Sequence, residues 1–332
     1  MIFDSLQKIN CNRKTRERVE NMQDATFNRK IYTRTLPESE STFRVLQYNV
    51  NQAMECEKHT DTAWGVRADR VLALIKDVDA DIVCLQELRH LNTEYLTPEA
   101  WLALLKGYRY VVDYANSTPL AMGQAILYKP DRFYAKQHVK YWLSELATVP
   151  SDTFGNGYGY IVSGLELMVV DPVSKLLVHG AQPFWVFNTH FGLDEDLKLK
   201  SCIALQHIIR DGIGATHFIV CGYLNLFPDR DGNAHRALLA EHWTDCGKGA
   251  RTVLGNRQVE STFVGYHYDA FKADLSNMVS RLDHVFCSPN MTRYFPTLWN
   301  KTMKSPNEED DQTTRDFPSD HWPLAVRFLI PQ

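Results

Sequence analysis

Residues His217 to Gly232 read HFIVCGYLNLFPDRDG. An apolar run, Phe218, Ile219 and Val220, climbs to Gly222 and breaks at Tyr223, Leu224 and Asn225, with Pro228, Asp229 and Gly232 just beyond. This is the pattern of a buried strand whose carboxyl end opens into a polar loop, the place where open α/β sheets hold ligands. The anomaly is the tyrosine between the glycine and the asparagine, because the rest of the chain points to a carboxylate there.

The same event recurs outward from this strand. Asn49 closes VLQYN, Glu87 closes DIVCLQE, His190 closes FWVFNTH, Asp283 and His284 interrupt RLDHVF, and Asp320 and His321 precede WPLAVRF. A single polar residue at a strand end is ordinarily where the chain meets water or caps a helix. Counting Asn225, six such ends occur in this chain, and the strands of one sheet can deliver their ends to a common crevice.

The segments between them set the fold class. FRVLQYNV, a helix over 65–76, DIVCLQEL and a helix over 97–106 alternate as in α/β proteins. YRYVVDYA, QAILY, HVKYWLS, YIVSGLELMVV and FWVFNTHF then follow with no helical pattern between them. Sequential strands of this kind imply mixed or antiparallel pairing. A helix over 194–209, the opening strand, a helix over 232–241 and the strands RLDHVFCSP and PLAVRFLI complete the chain. With no internal repeat, the expected organisation is a polar, basic arm over 1–42, helical around 16–22, and one domain over 43–332. Two loops stand out: 261–277, with Phe263, Tyr266, His267, Tyr268 and Phe271, and 304–320, with the acidic block Glu308, Glu309, Asp310 and Asp311.

Composition narrows the class. The 332 residues are 44% hydrophobic, enough for a large core. No window approaches the run of about 18 apolar residues that a membrane span needs, and the N-terminus has no apolar signal core. The seven cysteines include Cys84, Cys221 and Cys287 in or beside apolar runs, which suits a reducing compartment and a cytoplasmic location. No Cys/His spacing matches a zinc site. The net charge of −4 hides a basic lead, so the body is more acidic than the total. That disfavours extended duplex nucleic acid as a substrate.

In order along the chain, YNVN, LQE, NTH, GYLN, RLDHVF and SDHWPL resemble the motifs of the endonuclease/exonuclease/phosphatase superfamily. Trp64, Arg70, QAILYKPDRF and YWLSE add to the likeness, which covers roughly residues 43 to 330. The resemblance implies a four-layer, DNase I-like α/β sandwich with two mixed β-sheets packed face to face and helices outside. It implies metal-dependent hydrolysis of a phosphodiester or phosphomonoester, with Mg²⁺, or Mn²⁺ in its place, on oxygen ligands. By the same resemblance Glu87 is the principal metal ligand, and Asn49 and Asp320 help set the metal and its waters. Asn225 holds the phosphate or the nucleophile, and His190 donates to the phosphoryl oxygens as charge develops. His321 is the general base for the attacking water, with Asp283 orienting its ring. His284, one residue on, points to the opposite face and is structural. Asp229 and Asp231 cap the following helix, with an auxiliary metal contact as the alternative.

The superfamily pattern at the opening stretch is Gly-Asp-any-Asn, whereas this chain has Gly222-Tyr223-Leu224-Asn225. A phenol, with an ordinary pKa of about 10, is uncharged at neutral pH and bulkier than the carboxylate it replaces. Three readings follow: a rearranged working site in which Tyr223 takes part, a chain that binds phosphoesters or a protein without turnover, or a recent single change from an Asp codon. RLDHVF lacks the Trp-Cys-Asp-Arg type motif of the inositol phosphatase branch. The substrate stays open between a nucleotide or single-stranded nucleic acid and a small organophosphate or lipid headgroup.

Overall fold

The computed structural model describes residues 41–52, 63–90, 96–227, 233–265, 281–301 and 317–332, apart from positions 120, 156, 158, 255, 257, 259, 260 and 295. Residues 1–40, Asp229 and Asp231, the aromatic loop beyond Gly265 and the acidic block lie outside the described residues.

Alternation along the strands builds the layers. In β1 (Thr42–Asn49), Phe43 and Val45 enter one core cluster while Leu46 and Tyr48 enter another. β2 (Ile82–Arg89) does the same, with Ile82 and Cys84 inward and Val83 and Leu85 outward. Because side chains alternate across a pleated strand, each strand is sandwiched between two apolar layers. The outer layer over β1 and β2 is α1 (Trp64–Val78), with Val71 and Ile75 buried, and α2 (Pro98–Leu102), with Trp101 buried.

These strands belong to a seven-stranded mixed sheet. Its order is β10 (Arg251–Thr252), β12 (Thr297–Leu298), β13 (Leu324–Leu329), β1, β2, β4 (Met122–Tyr128) and β3 (Arg109–Tyr114). β1 runs parallel to β2 and antiparallel to β13. The second sheet is six-stranded: β5 (Phe133–Trp142), β6 (Ile161–Val169), β7 (Phe184–His190), β8 (Phe218–Tyr223), β11 (Asp283–Cys287) and β9 (Thr244–Asp245). Here β7 and β8 are parallel and the other pairs antiparallel. In β8, Ile219 and Cys221 face the first sheet, while Phe218 and Val220 pack with α3 (Glu195–His207) and α4 (Ala234–Ala240). The four-layer sandwich with two mixed sheets is therefore observed. Cys84, Cys202, Cys221, Cys246 and Cys287 are buried and free.

Several boundaries differ from the sequence reading. The helix expected over 97–106 ends at Leu102, and the chain turns on through Gly107, whose φ of 99° a side chain would resist. The helix expected over 194–209 runs to His207 and then widens into a π-helical turn, Ile208–Ile213, before Gly214 ends it. The strands β9, β10 and β12, two residues each, carry no detectable alternation.

Candidate functional site

The parallel pairs β1–β2 and β7–β8 end on the same side of the sandwich, and the polar residues at their ends converge there. At the end of β2 the ladder with β4 shifts register between Gln86 and Leu88, and Glu87 stands at the bulge with φ 61°. A non-glycine residue in this region is held by its surroundings, and such positions concentrate at functional sites. The bulge turns the Glu87 carboxylate to accept from Asn49 Nδ2 at 2.8 Å. Asn49 Oδ1 accepts from the backbone N–H of Asn51 at 2.9 Å, and Asn51 Nδ2 donates to Asp320 Oδ2 at 3.1 Å. Arg67, reaching in from α1, ties this corner together by donating to the carbonyls of Val50 (2.8 Å), Pro318 (3.0 Å) and Asn51.

The second half of the site comes from β11 and the segment before β13. Asp283 Oδ2 meets His321 Nδ1 at 2.6 Å, and Asp283 Oδ1 accepts from Gln47 Nε2 at 2.8 Å. Gln47 is locked by a reciprocal amide pair with Gln86 at 2.8 and 2.7 Å, and Gln86 donates to Asn188 at 2.6 Å. Thr262 Oγ1 accepts the backbone N–H of Asp283 at 3.1 Å. His321 Nε2 lies 4.0 Å from Asp320, and His190 Nε2 lies 3.9 Å from Glu87.

Charge is unevenly balanced here. Glu87, Asp283 and Asp320 are three carboxylates around His321. Burial pushes Glu87 up to about 7, against the opposing pull of His321 and Asn49. For His321, burial works against the charged ring, but Asp283, then Asp320 and Glu87, overcome it and push the imidazole up to about 9. Burial likewise favours a neutral Asp283, and the charge and hydrogen bond of His321 reverse this. Burial, with a contribution from His321, pushes His190 down to about 3, so its ring is neutral.

The residues fit a divalent cation on two counts. The carboxylates of Glu87 and Asp320 and the amide oxygen of Asn49 form an oxygen donor set, which suits a hard ion. The proton on His321 also stands in for positive charge that a cation would bring, and such an ion reverses the local pKa logic.

Tyr223 ends β8, in register with His190 on one side and Asp283 on the other. Its ring centroid lies 4.7 Å from that of His190 and 4.7 Å from that of His321, so it wedges between the two imidazoles. Burial and the nearby Glu87, Asp283 and Asp320 carboxylates hold its phenol well above the ordinary range, and it remains protonated. Gly222 before it is required by packing: a Cβ there would sit 2.7 Å from the Thr189 carbonyl oxygen. Asn225, with φ 55°, donates to the carbonyl of Phe191 at 2.7 Å, joining the loops after β7 and β8. Tyr160 packs edge-on against His190, and Phe263 against His321.

Thus Asn49, Glu87, His190, Tyr223, Asp283, Asp320 and His321 are brought together, while the amide of Asn225 is engaged with a backbone carbonyl at the edge of the group. Sequence reading missed Gln47, Asn51, Arg67, Thr262 and Tyr160. The one available signal was Gln47, an uncharged polar residue inside an apolar strand. His284 faces the other side of its sheet, with its Nε2 3.2 Å from the Leu226 carbonyl oxygen. There His235, Asp245 and His284 place ligand-type atoms within 4.8 Å of one another. Both Asp245 oxygens are already held by Arg281 at 2.7 Å, so that cluster is charge-balanced.

The fold and this arrangement define a phosphoester-hydrolase type of sandwich. The chain belongs to the endonuclease/exonuclease/phosphatase family, which it matches over residues 46–321 and whose members hydrolyse phosphoester bonds. It is similar to an uncharacterized protein of Acanthamoeba polyphaga mimivirus, 26% identical over 86% of this chain and 99% of the viral protein. It is also similar to the CCR4-Not complex 3'-5'-exoribonuclease subunit Ccr4 of Kluyveromyces lactis, 21% identical over 81% of this chain and 38% of the yeast protein. Among solved structures, the mannosyl-6-phosphatase of Bacteroides thetaiotaomicron superposes with a TM-score of 0.67 at 21% identity, covering 86% of this chain and 99% of that one. No helix of the described residues is long and apolar enough to cross a membrane.

Proposed function

We propose that the chain is a divalent-cation-dependent phosphoesterase whose turnover is restricted by Tyr223. The observation that carries this reading is the hydrogen-bonded set Asn49–Glu87 and Asp283–His321, with Asp320 at 4.0 Å from His321 Nε2. Glu87, Asn49 and Asp320 would hold Mg²⁺ or Mn²⁺, which when bound polarises a phosphoryl oxygen. Asp283 fixes the orientation of His321 by accepting its Nδ1–H in a hydrogen bond, and Nε2, with a cation on Glu87 and Asp320 in place of the extra proton on the ring, would be free to accept a proton from water. His190, neutral, is positioned to donate to a phosphoryl oxygen. Asn225 braces the loops after β7 and β8 through the Phe191 carbonyl, and its second amide hydrogen would serve the phosphate side of the substrate.

A second reading, phosphoester binding without turnover, is favoured by the Tyr223 ring, which fills the gap between His190 and His321. The acidic body favours a small organophosphate or a short single-stranded nucleotide ester over duplex DNA. The mannosyl-6-phosphatase and the exoribonuclease represent these two classes among the similar proteins.

The test is hydrolysis of bis-p-nitrophenyl phosphate, a sugar 6-phosphate, a sphingomyelin and a short single-stranded oligonucleotide, with Mg²⁺ or Mn²⁺ and with EDTA. Turnover of one substrate that needs the cation and disappears in Glu87→Ala is expected. Saturable binding of the substrates with no turnover under any condition would favour the second reading.

A further inference from the structure

The opposite end of the sandwich holds a second polar feature. Arg44 precedes Asn49 by five residues on β1, which places it roughly 17 Å along the strand from the cleft. A cavity of about 640 Å³ opens there, with Arg44, Lys129, Arg132 and Arg327 among its lining and Asp79 and Asp81 between them. Four cations thus face two carboxylates, and the carboxylates are taken. Asp79 pairs with Lys129 at 2.7 Å, and Asp81 pairs with Arg132 at 3.1 Å while accepting the backbone N–H of Arg44 at 2.8 Å.

The two remaining arginines stand opposite each other on neighbouring strands. Arg44 and Arg327 are direct cross-strand partners in the β1–β13 ladder. Side chains of such partners share a face with Cβ atoms about 5 Å apart, and like charges there destabilise the sheet. Among the described residues neither has a carboxylate partner. Arg44 donates to the carbonyl of Val78 and lies over the ring of Trp299 at 5.7 Å, while Arg327 is exposed. A sheet that opposes two arginines at the wall of a cavity is built to gain from an anion between them. Guanidinium forks match phosphate oxygens in geometry and charge. The volume exceeds what a lone orthophosphate needs and lies within the range of small-molecule sites. Tyr294, 46% exposed, adds an aromatic face to the lining.

We propose that this cavity is a second anion site, separate from the cleft, that binds a small organic polyphosphate of nucleotide size. The test is calorimetric titration of the full chain with ATP and with tripolyphosphate, in EDTA so that no cation bridges ligand to the cleft. Wild type and His321→Gln are expected to bind alike. Arg44→Gln/Arg327→Gln should bind at least about tenfold more weakly. Arg327→Gln alone, at an exposed side chain, should weaken binding in the same direction if the double variant folds poorly. Unchanged affinity in the arginine variants, or loss of binding in His321→Gln, would overturn the proposal. So would tighter, steeply salt-dependent binding of a single-stranded RNA through the same arginines, which would make the feature a nucleic-acid contact.

Discussion

Asp283 carries two loads at once, because one oxygen orients His321 and the other is pinned by Gln47. Asp283→Asn keeps the shape but removes the charge that stabilises an imidazolium, so a fall in kcat of about 10²- to 10⁴-fold is expected in any substrate that turns over. Gln47→Leu leaves a buried carboxylate oxygen and the Gln86 amide short of partners. It should cost about 1–3 kcal/mol in urea unfolding. Asn49, Glu87, Asp283 and His321 were visible in the sequence because each breaks an apolar run at a strand end. Gln47 showed only as a polar residue inside an apolar strand, and its role was not legible because its partner Asp283 lies 236 residues away. Tyr223 was visible as a departure from a motif, but only the structure places its ring between the two histidines.

At the scale of elements, the site depends on how the ends of strands are held. Arg67 links α1 to the turn after β1 and to the segment before Asp320, through three carbonyls. Arg67→Ala strands those acceptors and should cost about 3 kcal/mol or more in denaturant titration. It should also weaken Mn²⁺ binding, because Asn51 and Asp320 lose their common anchor. Strand faces were legible from alternation, as in Ile82 and Cys84 against Val83 and Leu85. The bulge at Glu87 was not, because a register shift depends on the partner strand rather than on the residues themselves. The π-helical turn after α3 was missed for a similar reason: its apolar pattern continues that of the helix before it.

For the whole molecule, buried neutral imidazoles contribute to the loss of stability in acid, beside carboxylates such as Asp245 and Asp113 that are held below their ordinary range. Burial, followed by the charge of Arg281, pushes His284 down to about 4. The unfolded chain takes up a proton near 6.5 and the folded chain does not until about 4. Stability is therefore full above pH 6.5 and falls as pH drops from 6.5 to 4, by about 3 kcal/mol for this one group. His284→Phe, next to Phe286, should flatten that part of the profile in chemical denaturation at a series of pH values. A bound cation acts in the other direction: at a hundredfold excess over Kd it should add about 2.7 kcal/mol, and Glu87→Ala should abolish the gain. Mixed pairing was legible from the consecutive strands, while the four layers were expected from the family resemblance alone. The order of strands was not legible, because β1 closes its sheet against β13, with Thr42 facing Leu329 across nearly the whole chain.

The measurement that bears most directly on the hydrolase reading is turnover by Tyr223→Asp beside wild type, with Mn²⁺, on the substrate that binds best. Restoring a carboxylate and vacating the space between His190 and His321 should raise kcat by about 10²-fold or more, and Glu87→Ala added to it should remove the gain. Equal or lower turnover in Tyr223→Asp, with the fold intact, would contradict the claim that this tyrosine restrains a hydrolytic site.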